Sequence, residues 1–170
     1  MMKRIYIMRH GKAVWNAELY EDFDRPLKKR GHKASSFMGS LLAVHQEIPD
    51  IILSSSAVRA VETTKDFLKA LGHMIPVVYD ETLYMTSVDH TVNMIRDLND
   101  EDESVMVIGH NPTWENVIAY LIASEGFNIY LPTGGIVCID VNIDEWSELG
   151  PGRASLKWFL VPKLFMKKHV

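Results

Sequence analysis

The sequence predicts an α/β fold, three layers with a mostly parallel central sheet covered by helices on both faces. Three observations carry this. Short apolar runs recur along the chain, each bounded by charged or turn residues. Between them lie segments whose apolar residues repeat at helical spacing, an alternation that produces parallel strands buried on both faces. Two of the runs are followed at once by histidine, His10 in Met8-Arg9-His10-Gly11 and His110 in Gly109-His110-Asn111-Pro112. Open α/β sheets hold their ligands there, outside the carboxyl ends of the strands.

Taken in order, residues 5–8 form a short apolar run between Lys3-Arg4 and Arg9-His10-Gly11, as a fully buried strand requires. Residues 51–53, 77–79, 105–108 and 136–139 repeat that pattern. Residues 154–161 add a sixth strand, in which Leu156, Trp158 and Leu160 alternate with Lys157 and Phe159. A first helical stripe runs through Ala34, Phe37, Met38, Leu41, Leu42 and His45, and a second through Ala57, Ala60, Val61, Thr64, Leu68 and Leu71. Val88, Val92, Ile95 and Leu98 make a third, with Thr86 or Ser87 as N-cap; Trp114, Val117, Ile118, Leu121 and Ile122 make a fourth. Gly134-Gly135 and Leu149-Gly150-Pro151-Gly152 mark turns. With no repeat or Gly/Ser linker to divide it, the chain reads as one domain over residues 1–170.

Composition narrows the function. A chain of 170 residues with 47% hydrophobic content is long enough to bury about 70% of the surface its unfolded form exposes. Its net charge of -4 speaks against a general nucleic-acid or anionic-membrane binder, which needs a clustered positive surface. Cys138 is the only cysteine and sits in an apolar run, so it reads as a small buried hydrophobe. Met1-Met2-Lys3-Arg4 leads straight into the first strand, too short a run for a signal-peptide core, and no stretch reaches the ~18 apolar residues of a membrane span. A cytoplasmic location is expected. The tail from Met166 to His169 reads as a solvated end.

In that topology three segments leave the sheet on its carboxyl side: Arg9, His10 and Asn16 after the first strand, Ser54-Ser55-Ser56 and Arg59 after the second, and His110 after the fourth. If Ser55 or Ser56 caps the following helix, Arg59 falls in its first turn, where the helix dipole disfavours a cation. An anion held there reverses that penalty. With Asn111 as N-cap and Pro112 at the first helical position, His110 stands just outside another helix N-terminus, again a place for an anion. The residues therefore point to a phosphate site.

The same residues carry a family resemblance. Arg9-His10-Gly11 at the end of a first strand resembles the signature of the histidine phosphatase superfamily, and Arg9 to Asn16 resembles its mutase-type pattern of Arg-His-Gly, three variable residues and Trp-Asn. Leu53-Ser54-Ser55-Ser56-Ala57-Val58-Arg59-Ala60-Val61-Glu62-Thr63 is similar to the family's Ser-Ser-x-x-x-Arg-Ala-x-x-Thr segment. Pro26-Leu27 followed by Gly31 matches its helix entry, and Gly109-His110-Asn111 supplies the second histidine. The short chain and the Glu81-Thr82-Leu83-Tyr84 region are most similar to SixA-type phosphohistidine phosphatases.

The resemblance implies a phosphoglycerate mutase-like fold and makes His10 the in-line nucleophile, giving a phosphohistidine intermediate that water hydrolyses. Arg9 and Arg59 each offer a planar fork of N–H donors for phosphate; Asn16 adds an amide donor, and His110 stabilises developing charge. The arginines and His110 supply the positive field, so no metal or other cofactor is expected. Whether Ser54 or Thr113 joins the phosphate shell stays open. Two departures bear on substrate: Lys12-Ala13 replaces the acidic residue and serine of the mutase pattern, and Asn111 stands where another branch places an aspartate proton donor. The mutase glutamate has no clear copy, although Glu81 and Asp89 lie where a proton donor would be sought.

A missing acid suits a leaving group that departs as neutral imidazole rather than a sugar alkoxide. A phosphatase acting on phosphohistidine in a protein is therefore the first expectation. A phosphatase or mutase of a small phosphorylated metabolite is the second, and a non-catalytic module that binds a phosphorylated protein the third. The intervals at residues 12–25 and 71–77 leave little room for an inserted cap; Trp15, Tyr20 and Tyr130 are candidate rim residues.

Overall fold

The computed structural model describes residues 2–122 and 126–166; residues 167–169 of the tail lie outside that set. Every anticipated strand is present: β1 (Met2–Arg9), β2 (Ile51–Ser55), β3 (Val77–Asp80), β4 (Ser104–Gly109), β5 (Ile136–Asn142) and β6 (Ala154–Leu160). They form one sheet in the order β3-β2-β4-β1-β5-β6. The β3, β2, β4 and β1 strands run parallel, while β5 is antiparallel to both β1 and β6. The sheet is thus mostly parallel, as the apolar runs required.

Helices α1 (Lys29–Val44), α2 (Val58–Leu71), α3 (Val88–Arg96) and α4 (Thr113–Ile122) follow the four stripes, and a short α5 (Pro162–Phe165) closes the described chain. Alternation along the strands sorts them into layers. On β1, Ile5 and Ile7 join a core with Val92 and Ile95 of α3 and Trp114, Val117 and Leu121 of α4. Their neighbours Tyr6 and Met8 face the opposite way, against Met38 and Leu42 of α1 and Phe67 and Leu71 of α2. The result is a three-layer α/β/α arrangement. Cys138 is buried in the second core. No helix among the described residues is long and apolar enough to cross a membrane.

Three local expectations are corrected. Ala57, with no capping side chain, stands at the N-cap of α2; Ser55 Oγ instead accepts from Ala57 N–H at 3.2 Å. Arg59 nevertheless falls in the first turn. Asn111 does not cap α4 through its side-chain oxygen, because its amide donates to Glu115 Oε1 (2.7 Å) and Leu131 O (2.9 Å) while Oδ1 accepts nothing. His45, expected on an apolar stripe, is exposed beyond the end of α1. Ser87 is the cap of α3, accepting from His90 N–H.

Candidate active site

Strand order alone brings the expected segments together. The β2, β4 and β1 strands are neighbours, and their register pairs Arg9 with Gly109 and Ser54 with Ile108, so the three chains leave the sheet at one level. His10 N–H then donates to Gly109 O at 3.0 Å. A Cβ on Gly109 would come within 2.7 Å of the Trp114 ring, whose Nε1–H donates to Met8 O at 2.9 Å. Glycine before His110 therefore lets one indole tie the ends of β1 and β4 together.

The loop after β1 is fixed from two other elements. Gly11 N–H donates to Thr63 Oγ1 (2.9 Å), and that hydroxyl donates to Arg59 O, so the Arg and Thr of the α2 segment are both joined to the nucleophile loop. A Cβ on Gly31 would collide with the Lys12 carbonyl, which explains a glycine in the first turn of α1. Close approach of two backbones needs the residue without a side chain.

Arg9, His10, Arg59 and His110 line one cleft of about 890 Å³, with Lys12, Trp15, Asp22, Arg25, Lys28, Tyr84, Met85, Thr86, Asn111 and Thr113 also on its walls. The two imidazole centroids are 5.1 Å apart. His10 Nδ1 lies 2.7 Å from Gly11 O; a carbonyl only accepts, so Nδ1 carries the proton and Nε2 bears the lone pair. Arg59 Nε–H donates to that Nε2 at 3.3 Å. His110 Nε2 is 2.8 Å from Ser55 Oγ. Ser55 Oγ also accepts from Ala57 N–H, so one hydroxyl ties the start of α2 to the second histidine.

Electrostatics favour an anion. Burial, then His110 and the two arginines, hold the His10 pKa well below the usual histidine range, and burial with Arg59 lowers that of His110 to about 3. Both rings are neutral at pH 7, so the positive field comes from the arginines and lysines and not from His110. Arg9 Nη1 donates to Leu131 O at 3.0 Å, but Arg9 Nε and His110 Nδ1 are buried and find no hydrogen-bond partner among the described residues. Leaving such groups unpaired costs about 1–3 kcal/mol each.

Other anticipated residues are placed elsewhere. Asn16, Glu81 and Asp89 are not on the cleft wall; Asn16 Oδ1 accepts from Glu18 N–H. Ser54 is buried against Thr64 at 2.9 Å and away from the wall, whereas Thr113 is on the wall and donates to Thr86 O. Trp15 forms part of the rim, while Tyr20 and Tyr130 do not. The carboxylate that does reach the wall, Asp22, was not anticipated. Its Oδ1 accepts from Arg25 Nη2 (2.6 Å) and Nε (2.9 Å), and its Oδ2 from Tyr84 OH (2.7 Å) and Arg59 Nη2 (3.1 Å). These donors outweigh burial and hold its pKa at about 2. Among the described residues no group of three or more His, Cys, Asp or Glu side chains is arranged to hold a metal ion.

The chain is similar to known proteins. An uncharacterized chloroplastic protein of Arabidopsis thaliana is 30% identical over 173 residues, covering 94% of this chain and 78% of its own. The structure of the candidate phosphohistidine phosphatase SixA of Agrobacterium tumefaciens superposes with a TM-score of 0.81 at 32% identity, over 94% of this chain and 98% of that one. The protein histidine phosphatase SixA complexed with tungstate has the same fold, with a TM-score of 0.83 at 24% identity over 96% and 99% of the two chains. The sequence model of the histidine phosphatase superfamily (branch 1) matches residues 5–94, which hold Arg9, His10 and Arg59, and the chain belongs to that superfamily.

Proposed function

We propose that the protein is a phosphatase that removes a phosphoryl group through a phosphohistidine formed on His10, and that its substrate is phosphohistidine presented by another protein. Membership of a phosphatase family already implies a phosphorylated substrate. The observation that carries the finer reading is the tautomer of His10: with Nδ1–H committed to Gly11 O, the lone pair is left on Nε2, which accepts from Arg59 Nε–H at 3.3 Å and exchanges that donor for phosphorus on attack. In the first step Nε2 bonds to phosphorus as the P–N bond to the substrate imidazole breaks. Water then attacks the phosphoryl group on His10, releasing inorganic phosphate and restoring Nε2. Arg9 and Arg59 grip the equatorial oxygens, where the charge of a loose phosphoryl transition state resides, and His110 Nδ1–H donates to one of them.

The choice of leaving group rests on Asp22. It is the carboxylate on the cleft wall, and four hydrogen bonds keep it ionised far below neutral pH, so it has no proton to give to an alkoxide. An imidazole protonated on its free nitrogen leaves neutral and needs no such donor. Trp15, 76% exposed at the rim, and the neighbouring exposed Leu19 offer apolar surface to a macromolecular substrate.

A turnover panel without added metal tests the reading, comparing a phosphohistidine protein, a phosphoserine peptide and sugar phosphates. The phosphohistidine protein is expected to turn over fastest, with phosphorylated His10 trapped on acid-free quenching. Faster turnover of a sugar phosphate would transfer the protein to metabolite chemistry.

A further inference from the structure

Arg59 is only 4% exposed and has five N–H donors. Nε–H goes to His10 Nε2, one Nη1–H to the backbone carbonyl of Asp22, and one Nη2–H to Asp22 Oδ2. One N–H on each of Nη1 and Nη2 remains without an acceptor among the described residues, and Arg59 lines the cleft, so both are offered to phosphoryl oxygens. Apart from His10, every hydrogen-bond partner that sets the plane of this guanidinium is supplied by one residue. We propose that Asp22 is a positioning residue that fixes the orientation of Arg59 for phosphoryl binding, an inference that rests on the phosphatase reading above.

Asp22 stands on a flap secured at both ends. At its neck Ala13 and Leu27 form an antiparallel bridge, Val14 N–H donates to Pro26 O at 2.8 Å, and Lys28 N–H donates to Lys12 O at 2.7 Å. Leu27 N–H also donates to Glu62 Oε2 at 2.6 Å. Near Asp22, the Phe23 carbonyl accepts from Val58 N–H at the start of α2, and the Phe23 ring meets Tyr84 edge-on at 5.0 Å. The carboxylate is therefore delivered to Arg59 by a braced segment.

A carboxylate on a phosphate-binding arginine invites a competing explanation, in which Asp22 stands in for substrate and is displaced by it. The hydrogen bonds oppose that. Displacement would have to break the two bonds from Arg25 and the one from Tyr84, and Arg59 is held through the Asp22 backbone oxygen as well as through its carboxylate. Arg25 also offsets the charge of Asp22, so the cleft stays cationic. Tyr84 in turn packs edge-on against His110 at 5.5 Å, so the same carboxylate braces the ring on the second wall.

Calorimetric titration with inorganic phosphate separates these cases without depending on the physiological substrate. Positioning predicts that Asp22→Ala weakens phosphate binding about tenfold, with Asp22→Asn intermediate because its amide oxygen still accepts from Arg59. In turnover the loss falls mainly on KM, and the melting temperature stays close to that of the parent. Tighter binding by Asp22→Ala establishes competition and overturns the proposal, as does unchanged binding in both variants. Failure of the unsubstituted chain to bind phosphate at all would remove the phosphate reading itself, and this inference with it.

Discussion

The two sides of the cleft are built on different principles. Arg9, His10 and His110 sit at the ends of β1 and β4 and Arg59 in the first turn of α2; Arg9 is half-buried and the other three are buried. The flap at residues 13–27 contributes Trp15, Asp22 and Arg25 from a largely exposed segment outside the sheet, joined to the body by side-chain hydrogen bonds, one isolated bridge and a few backbone hydrogen bonds. Chemistry is thus placed where backbone geometry determines position, and adjustment of that chemistry is delegated to a loop.

Substitutions on the two sides should differ accordingly. The largest effect is expected from His10→Ala, with turnover reduced by about 10⁴-fold or more and no trapped phosphoenzyme, since the covalent step is lost. Arg9→Ala and Arg59→Ala are next, at about 10²–10³-fold in kcat/KM for removal of a preorganised donor. Comparable losses from Asp22→Ala would erase the distinction between wall and flap. Gly31→Ala acts on the join: a methyl group forced against the Lys12 carbonyl should cost about 2 kcal/mol, seen as a melting temperature lower by roughly 6 °C.

Acid should weaken the wall specifically. His10 and His110 have folded-state pKa values below the ~6.5 of an unfolded histidine, so below that pH the unfolded chain binds more protons and stability falls as pH falls. Each histidine contributes at most about 1.4 kcal/mol per pH unit, over a window that for His110 extends down to about 3. Melting curves between pH 7 and pH 4 check this, and His110→Gln should flatten the trend. The smallest effect is expected at the flap tip, where Leu19→Asp lowers kcat/KM about fivefold on a phosphohistidine protein and leaves free phosphohistidine unaffected.

Legibility in the sequence followed the same division. The strands, the four stripes and the convergence of Arg9, His10, Arg59 and His110 were readable because each rests on local periodicity or on a strand end, and strand order then places them together. Asp22 was not readable: its partners Arg59 and Tyr84 lie far along the chain, and nothing in Glu21-Asp22-Phe23 marks it off from the exposed acids Glu21 and Asp24 beside it. The capping roles assigned to Ser55, Ser56 and Asn111 failed because tertiary partners claimed Ser55 and Asn111 and left Ala57 at the helix start. Trp146, wholly buried with its Nε1–H on Asp102 O, escaped notice because its turn carries no periodic pattern.

The Ser55 hydroxyl lies 2.8 Å from Nε2 of His110, a ring that burial and Arg59 keep neutral at pH 7. A neutral second histidine leaves the guanidinium and ammonium groups as the source of positive charge in the cleft. With both cleft histidines already neutral at pH 7, the pH profile of phosphate capture near neutrality should trace the ionisation of the incoming phosphoryl group and not that of the histidines.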